Sequence, residues 1–236
     1  MIDGPVLLAE ALDADVQLHE VFAAPGADDG LVERARAAGA TVHRLEADVL
    51  KRAVDTVTPQ DVAAIAARAV VPLAEAVAAA ARGPFTLVLV DVSDPGNAGT
   101  LLRAAEASGA SAVLFCGTSV DPCNPKCVRA SAGALFHLPV ADGGDAGTVL
   151  EELAAEGVRT VATVVRGGVP YDEADLRGPV AVILGSEAHG LPASLVDKVD
   201  VQCTIPMEGR SESLNVAMAG SVLAFEALRQ RRSGAS

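Results

Sequence analysis

Aromatic side chains are scarce in this sequence. They make up 3% of its 236 residues, tryptophan is absent, and there is one tyrosine. The apolar half of the composition, 50% of the chain, therefore comes mainly from Ala, Val and Leu. Such residues suit helices packed on strands that are buried on both faces. With 21% charged residues, the chain is also too apolar for an intrinsically disordered protein.

Cysteines and long apolar runs are few as well. Four cysteines are too few for a disulfide scaffold in a chain of this length, and they indicate reduced thiols. The longest mostly apolar run, 62–81, is rich in Ala and is interrupted by Arg68, Pro72 and Glu75. It predicts a helix or a linker rather than a membrane span, so no membrane partner is expected. No basic stretch followed by an apolar core begins the sequence, which predicts a cytoplasmic protein without a signal peptide.

Positive charge is in deficit, since 18 Lys and Arg face 31 Asp and Glu for a net charge of −13. Proteins that grip nucleic acid with their whole surface are usually basic. The balance therefore argues against such a protein, but it is compatible with a local basic patch.

Hydrophobic patterning divides the chain into two α/β parts. Residues 1–71 predict a small α/β domain, 72–84 a linker with an Ala-rich helix, and 85–236 a larger domain. In the larger part buried strands alternate with helices, which predicts a mostly parallel sheet. The predicted strands are 18–23, 41–45, 86–92, 111–116, 136–140, 158–165, 179–184 and 201–205. The predicted helices are 6–12, 31–38, 48–55 with Asp48 as its cap, 97–108, 125–134, 148–156, 193–199 and 213–231.

Ligands of such sheets bind beyond the carboxyl ends of the strands, and three loops there are dense in Gly, Pro and polar residues. The first follows strand 86–92, where Pro95-Gly96 makes a tight turn. Asn97 then stands at a helix start, and Arg103 follows six residues later. Taken alone, this loop is better explained as a helix capped by Asn97 with one surface arginine.

The second loop follows strand 179–184 and holds Gly185, Glu187 and Gly190. A glycine at a strand end lets a ligand approach the backbone, although an ordinary turn with Glu187 in solvent fits the same pattern. In the third loop, 205–219, Ser213 is a possible helix cap. Asn215 interrupts the apolar positions, so it either contacts a ligand or a neighbouring loop, or serves as a local cap.

Several familiar sites are missing. The sequence has no G-x-G-x-x-G after a strand, no P-loop and no G-x-S-x-G nucleophile elbow. Cys123 and Cys127 do not have the usual zinc spacing, and no second pair accompanies them, so no metal is expected.

Taken together, the three loops resemble the SpoU (TrmH-type) family of RNA ribose 2′-O-methyltransferases within the SPOUT superfamily. The family motif N-x-G-x-x-x-R is matched by Asn97, Gly99 and Arg103. The motif G-x-E-x-x-G-L is matched at 185–191, and I-P-M followed by S-L-N-V at 205–207 and 213–216. The resemblance covers about 85–231, and its motifs occur in the family's order at the ends of the predicted strands.

The resemblance implies an α/β methyltransferase domain with a deep trefoil knot, an exception to the rule that chains avoid knots. S-adenosylmethionine is expected to sit bent in that knot, held by the backbone around Gly185, Ile205, Met207 and Leu214. The family acts as a homodimer, with the first-motif helix and the last helix as the expected interface. This mode of binding requires neither a Rossmann glycine motif nor a metal.

The resemblance ties Arg103 to the removal of the ribose proton. Because arginine is a poor base, we expect Arg103 to bind the adjacent phosphate and to orient the 2′-hydroxyl. Asn97, Glu187, Ser213 and Asn215 are expected to hold Arg103, the loops and the target nucleotide. Basic residues near these loops or in the first domain are candidates for phosphate contacts, although for any single one a solvated surface charge is the favoured alternative. They are Lys126, Arg129, Arg210, Lys51 and Arg52.

The first 71 residues resemble the family's small α/β substrate-binding domain, through 4–12 and 50–60. Relatives usually carry a further helix and a first strand before this point, so a shortened module is expected. Two domains favour rRNA over tRNA as the substrate, by analogy. The alternative function is a catalytically idle RNA-binding or ribosome-assembly protein on the same fold. A third, an unrelated small-molecule α/β enzyme, would act without RNA.

Overall fold

The computed structural model describes residues 1–53 and 60–234. Its first 70 residues contain a four-stranded sheet in the order β1-β4-β2-β3. Strand β4 is antiparallel to β1 and β2, and β2 is parallel to β3. The elements are β1 Ile2–Asp3, α1 Pro5–Asp13, β2 Leu18–Ala23, α2 Asp29–Ala37, β3 Thr41–Arg44, α3 Ala47–Ala53 and β4 Val62–Ala66. This arrangement confirms the predicted small α/β unit.

Strand β4 corrects the prediction of a helix or linker over 62–81. Residues Val62–Ala66 lie in the middle of the sheet, with β1 on one side and β2 on the other. Alanine has little intrinsic preference for strands. Here the pairing with two neighbours and the burial of Val62, Ala63 and Ala64 override that preference. The hydrophobic periodicity of a segment does not predict such long-range pairing.

Helix α3 differs from its prediction at its start. It begins at Ala47, so Asp48 lies in its first turn and is not the cap. A carboxylate in the first turn still favours the helix through the helix dipole. Residues 54 and 55 of the predicted helix 48–55 lie outside the described residues.

The second part holds a seven-stranded sheet in the order β7-β6-β5-β10-β8-β11-β9, and every pairing in it is parallel. The strands are β5 Thr86–Val90, β6 Ala112–Cys116, β7 Val140–Gly144, β8 Arg159–Thr163, β9 Val169–Pro170, β10 Val180–Leu184 and β11 Val201–Thr204. The helices are α4 Leu73–Arg82, α5 Pro95–Ser108, α6 Pro125–Ser131, α7 Ala146–Ala155, α8 Ala193–Val196 and α9 Val216–Ser233. The chain order reverses between β5 and β10, and such switch points are where α/β sheets bind ligands.

The predicted linker helix is α4. It buries Ala76, Val77 and Ala80 in one hydrophobic cluster with β6, α7 and β10, so it covers one face of the second sheet. The domain boundaries at 71 and 84 remain a prediction.

The predicted strand 136–140 is wrong. Helix α6 ends because Ala132 and Gly133 both adopt positive φ, at 50° and 97°, and a 3-10 turn follows over Ala134–Phe136. Strand β7 begins only at Val140. The aromatic and β-branched residues of 136–140 match the pattern of a strand, but the positive φ values of Ala132 and Gly133 turn the chain before that segment.

Helices α5 and α9 run in the same direction and cross at a glycine. A Cβ on Gly220 would lie 2.7 Å from Leu184 Cδ1 and still closer to Leu101, so a larger residue there would have to displace the ends of these leucine side chains. On its other side α5 meets α6 at Gly99, where a Cβ would lie 2.8 Å from the carbonyl oxygen of Cys127. Two glycines thus let α5 lie close to both neighbours. Within the described ranges, no helix is long and apolar enough to cross a membrane.

Candidate active site

A groove of about 310 Å³ lies at the carboxyl ends of β8, β10 and β11. The loops that follow these three strands form its walls, and the first turns of α9 close it. Its lining residues are Thr163, Val164, Val165, 184–190, Cys203, Ile205, Met207, 212–214, Val216, Ala219 and Leu223.

The structure brings together the residues that the sequence analysis assigned to the cofactor. Gly185, Ile205, Met207 and Leu214 all line the groove, although they come from two loops about 20 residues apart in sequence. Sequence analysis missed the wall at 163–165. The available signal was the predicted parallel neighbour strand 158–165, whose carboxyl end had to meet the same edge of the sheet.

The glycine at the end of β10 is required by close backbone approach. A Cβ on Gly185 would lie 2.6 Å from the carbonyl oxygen of Gly190. The loop between them closes on itself through a hydrogen bond of 2.9 Å from the Gly190 amide to the Ser186 carbonyl. The backbone of the second motif is therefore a tight loop at the mouth of the groove.

The groove is acidic. Glu187 and Glu212 line it, and among its described lining residues there is neither Lys nor Arg. Phosphate-bearing cofactors need cations or helix N-termini, whereas carboxylates attract positive groups. S-adenosylmethionine carries a sulfonium and an ammonium, so the side chains and the apolar walls of Leu184, Ile205 and Leu223 fit it.

Three motif loops are joined by a chain of side-chain hydrogen bonds at the edge of this groove. Asn97 donates from Nδ2 to Oε1 of Glu187 over 2.9 Å. Asn215 donates from Nδ2 to Oδ1 of Asn97 over 3.0 Å. Asn97 thus has an acceptor on one side and a donor on the other, which fixes the orientation of its amide.

The cap of α5 is Asp94 and not Asn97. Its carboxylate accepts the amide of Asn97 over 2.7 Å, because the helix begins two residues before Asn97, at Pro95. This shift leaves the Asn97 side chain free for its hydrogen bonds with Glu187 and Asn215, which together form the Glu187–Asn97–Asn215 relay. It therefore corrects the interpretation of Asn97 as a capping residue.

Asn215 has both of the roles left open by the sequence. Its Oδ1 caps α9 by accepting the amides of Ala217 at 2.8 Å and Met218 at 3.3 Å. Its Nδ2 meanwhile contacts the neighbouring loop through Asn97. Ser213 is not the cap, since α9 begins at Val216; it is exposed and lines the groove.

A strained residue not singled out from the sequence positions the first loop. Asp91 has a φ of 57°, in the left-handed region, at the end of β5. Its carboxylate accepts the amide of Thr118 at 2.7 Å and the hydroxyl of Thr118 at 2.8 Å. Strain of this kind is expected where function fixes the backbone. The only sequence signal was an aspartate directly after a buried strand.

Arg103 lies apart from the groove. It is exposed on α5 and lines a second pocket, of about 470 Å³, with Glu10, Glu106, Ser131 and His137. The lining residues of the two pockets do not overlap. Arg103 lies six positions after Asn97 on the helix, which turns their side chains about 120° apart.

The candidate phosphate-binding residues are spread over the surface. Lys126 and Arg129 lie on α6, Arg210 in the loop before α9, and Lys51 and Arg52 in the last turn of α3. Arg129 is half-buried and the other four are exposed. None of them lines the groove. Their contact with RNA remains a prediction.

The cysteines are all free and poor ligands. Burial raises the pKa of the Cys116 and Cys127 thiols to about 12 and that of Cys203, beside the groove, to about 11. These thiols are protonated at neutral pH, and a protonated thiol is neither a nucleophile nor a metal ligand. No group of His, Cys, Asp or Glu in the described part of the chain has a metal-binding arrangement.

Comparison with known proteins agrees with this geometry. The family model described as SpoU rRNA Methylase family matches residues 84–225. The model described as RNA 2′-O ribose methyltransferase substrate binding matches residues 2–70.

Similar proteins span nearly the whole chain. The 23S rRNA (guanosine(2553)-2′-O)-methyltransferase RlmP of Bacillus subtilis is 33% identical over 95% of this chain and 86% of its own length. The 23S rRNA (guanosine-2′-O-)-methyltransferase RlmB of Xanthomonas axonopodis is 36% identical over 84% of this chain and 82% of its own. The AdoMet-bound rRNA methyltransferase of Sinorhizobium meliloti superposes with a TM-score of 0.87 at 31% identity, covering 96% of this chain and 85% of its own. The chain belongs to the SpoU rRNA methylase family.

Proposed function

We propose that this protein transfers a methyl group from S-adenosylmethionine to a ribose 2′-hydroxyl of RNA, with rRNA favoured over tRNA. The observation that carries the proposal is the Glu187–Asn97–Asn215 relay, which joins all three motif loops at the groove. The similar proteins RlmP and RlmB, which are named as 23S rRNA 2′-O-methyltransferases, support the substrate class. An rRNA substrate implies action in the cytoplasm.

S-adenosylmethionine supplies an activated methyl group when it is bound. Gly185, Ile205, Met207 and Leu214 would hold it along the groove, and the acidic residues would face its positive groups. In the family's manner, the loops around the groove would belong to a deep trefoil knot.

The remaining task of the protein is to position the 2′-hydroxyl and to help remove its proton. Arg103 would bind the neighbouring phosphate and orient the hydroxyl, since a guanidinium forms strong paired hydrogen bonds with phosphate. Asn97, Glu187, Ser213 and Asn215 would keep the first-motif helix in register with the groove. Phosphate contacts from Lys126, Arg129, Arg210, Lys51 and Arg52 would place the rest of the RNA.

A homodimer would complete the site. Arg103 lines a different pocket from the groove of its own chain, and a second copy would bring a groove and an Arg103 together. Helix α9 carries Met218, 61% exposed, and Phe225, 49% exposed. Exposed apolar residues on the helix beside α5 fit an interface made by these two helices.

Methyl transfer tests the proposal directly. Labelled S-adenosylmethionine is incubated with rRNA and, separately, with tRNA, and the product nucleosides are analysed. We expect label in a 2′-O-methylated nucleoside of rRNA. Arg103→Ala should abolish transfer while leaving S-adenosylmethionine binding intact, and Arg232→Ala, an exposed arginine at the end of α9, is the matched control.

The opposite result has a clear meaning. If the wild-type protein binds S-adenosylmethionine and RNA but transfers no methyl to either pool, the protein is an idle RNA-binding member of the family and the catalytic proposal is overturned.

A further inference from the structure

The Arg103 pocket is built by both parts of the chain. Helix α1 of the first part contributes Glu10, and α5, α6 and the 3-10 turn of the second part contribute Arg103, Ser131 and His137. The pocket holds about 470 Å³. It is therefore the place where the substrate-binding domain reaches the arginine assigned to the reaction.

Glu10 is fixed in this pocket from two sides. Its Oε2 lies 2.7 Å from Nε2 of His137, and since a carboxylate only accepts hydrogen bonds, Nε2 of His137 is the donor. Its side chain also lies on Gly133, where a Cβ would come within 2.5 Å of Glu10 Cγ. The positive φ values of Ala132 and Gly133 create this flat contact. These two contacts hold the Glu10 carboxylate at the pocket.

Two carboxylates, Glu10 and Glu106, line the pocket with Arg103, and they are unfavourable for a pocket that must accept RNA phosphate. Within the described ranges the Glu10 carboxylate is hydrogen-bonded to the His137 ring and has no ion pair with Arg103. The charge of Glu10 is thus not neutralised by the residue expected to bind phosphate. Such an arrangement is favourable for RNA only if the carboxylate meets hydrogen-bond donors of the ligand.

We propose that this pocket binds the methyl-accepting nucleotide, with Arg103 on its phosphate and Glu10 on the imino N–H of its base. The bases that carry an imino N–H on their pairing edge are guanine and uracil. Adenine and cytosine present an acceptor nitrogen at the same place, which a carboxylate repels. Glu10 is then a specificity-determining residue supplied by the first domain. This inference rests on the proposed function.

The competing explanation is that Glu10 and His137 only dock one domain on the other. Glu10→Gln separates the two explanations. Glutamine retains an oxygen for His137, so docking persists, but it turns an N–H donor towards the pocket in place of the second carboxylate oxygen. Asp13→Asn is the matched control, because Asp13 lies on the same helix, forms an exposed ion pair with Arg34 at 2.6 Å, and loses the same charge.

The test is nucleotide binding to the full chain saturated with S-adenosylhomocysteine. GMP is compared with AMP and UMP with CMP, so that each pair has rings of one size. The wild type should bind GMP, UMP or both roughly 10- to 100-fold more tightly than its partner, as expected for a hydrogen bond to a charged group. The preferred pair shows whether the base is guanine or uracil. Glu10→Gln should abolish the preference, and Asp13→Asn should keep it.

Two further variants complete the design. Arg103→Ala should weaken all four nucleotides alike, since it removes the phosphate contact. His137→Ala should reduce the preference because it releases Glu10. The proposal is overturned if the wild type has no preference, or if Glu10→Gln retains it. A methyl-transfer assay on the same variants distinguishes this proposal from the proposed function. If methyl is transferred but the nucleotide preference is the same in Glu10→Gln as in the wild type, only the proposal about the pocket is rejected. If the wild type shows the preference but transfers no methyl, only the proposed enzymatic activity is rejected.

Discussion

Asn215 donates a hydrogen bond to Asn97 over 3.0 Å and thereby joins the first turns of α9 and α5. At the other end of the same two helices, Arg231 donates to the carbonyl oxygen of Ser108 over 2.6 Å. The two helices are therefore fastened at both ends. The first motif and the third motif lie at one of these fastenings, next to the groove.

Breaking the relay should impair catalysis more than folding. Asn97→Ala removes both relay hydrogen bonds, and we expect methyl transfer to fall roughly 10- to 100-fold because α5 loses its register with the groove. Asn215→Asp keeps the oxygen that caps α9 but loses the donor to Asn97, so it should lower transfer while leaving unfolding nearly unchanged. Transfer assays and urea unfolding measure the two effects.

Asn124→Ala is the control for the relay variants. It removes a helix cap on α6, where Asn124 accepts the amide of Lys126 at 2.9 Å, away from the relay. It should reduce stability by about 1 kcal/mol and leave S-adenosylmethionine binding unchanged. Equal losses of transfer in Asn97→Ala and Asn124→Ala would contradict a specific role for the relay.

Gly99→Ala should separate two helices. The added Cβ would meet the backbone of α6, which cannot move as a side chain can, so we expect a loss of about 1–3 kcal/mol in the free energy of unfolding. Gly147→Ala on α7 is the matched control, since its Cβ would meet only the carboxylate of Asp145 at 3.1 Å. That variant should change stability by less than about 1 kcal/mol. Similar urea midpoints for the two variants would refute the packing role of Gly99.

Arg231→Ala should destabilise the protein by about 2 kcal/mol. It removes the hydrogen bond to the last turn of α5 and the contact of the guanidinium with the Phe85 ring, 5.1 Å from the ring centre. Arg232→Ala, the next residue along and exposed, should stay within about 0.5 kcal/mol of the wild type. Thermal unfolding of both variants measures the difference. An equal shift in the two melting temperatures would show that charge at this terminus, and not the fastening, matters.

Stability should decline in acid partly through Glu226. This carboxylate is 7% exposed, and its hydrogen bonds with Arg229 hold its pKa below the ordinary value of 4.5. A lowered pKa contributes stability above the unfolded value and loses it as the pH falls through the folded value. Urea midpoints between pH 7 and pH 3 should therefore fall less in Glu226→Gln than in the wild type.

Arg229→Gln tests the same linkage from the other partner. It removes the main cause of the lowered pKa, so it should also flatten the acid profile. A profile as steep as that of the wild type in both variants would place the acid sensitivity elsewhere.

The second sheet could be largely predicted from the sequence because its signals are local. Strands such as Thr86–Val90 and Val180–Leu184 are continuous apolar runs, and buried parallel strands have that pattern. The groove was predictable for the same reason, since parallel strands bring their carboxyl-end loops to one edge. Strand β4 was missed because its alanines become a strand only through two distant partners.

The parts of the site that were missed depend on contacts between distant residues. The cap of α5 differs from its prediction by three positions. This small shift decides whether the side chain of Asn97 caps the helix or is free to bind Glu187 and Asn215. The contact of Glu10 with His137 joins residues 127 positions apart. No spacing rule or periodicity connects such a pair, so the second pocket required the fold.

Helix α5 sets the distance between the two pockets. The helix rises about 9 Å over the six positions from Asn97 to Arg103. Both ends of the helix are held against α9, so movements of the surrounding loops do not alter this distance. Insertions in the surrounding loops are therefore compatible with an unchanged distance, whereas an insertion or deletion of one residue inside the helix would rotate Arg103 by about 100°. The spacing of the first motif thus determines both the distance between Asn97 and Arg103 and the relative direction of their side chains.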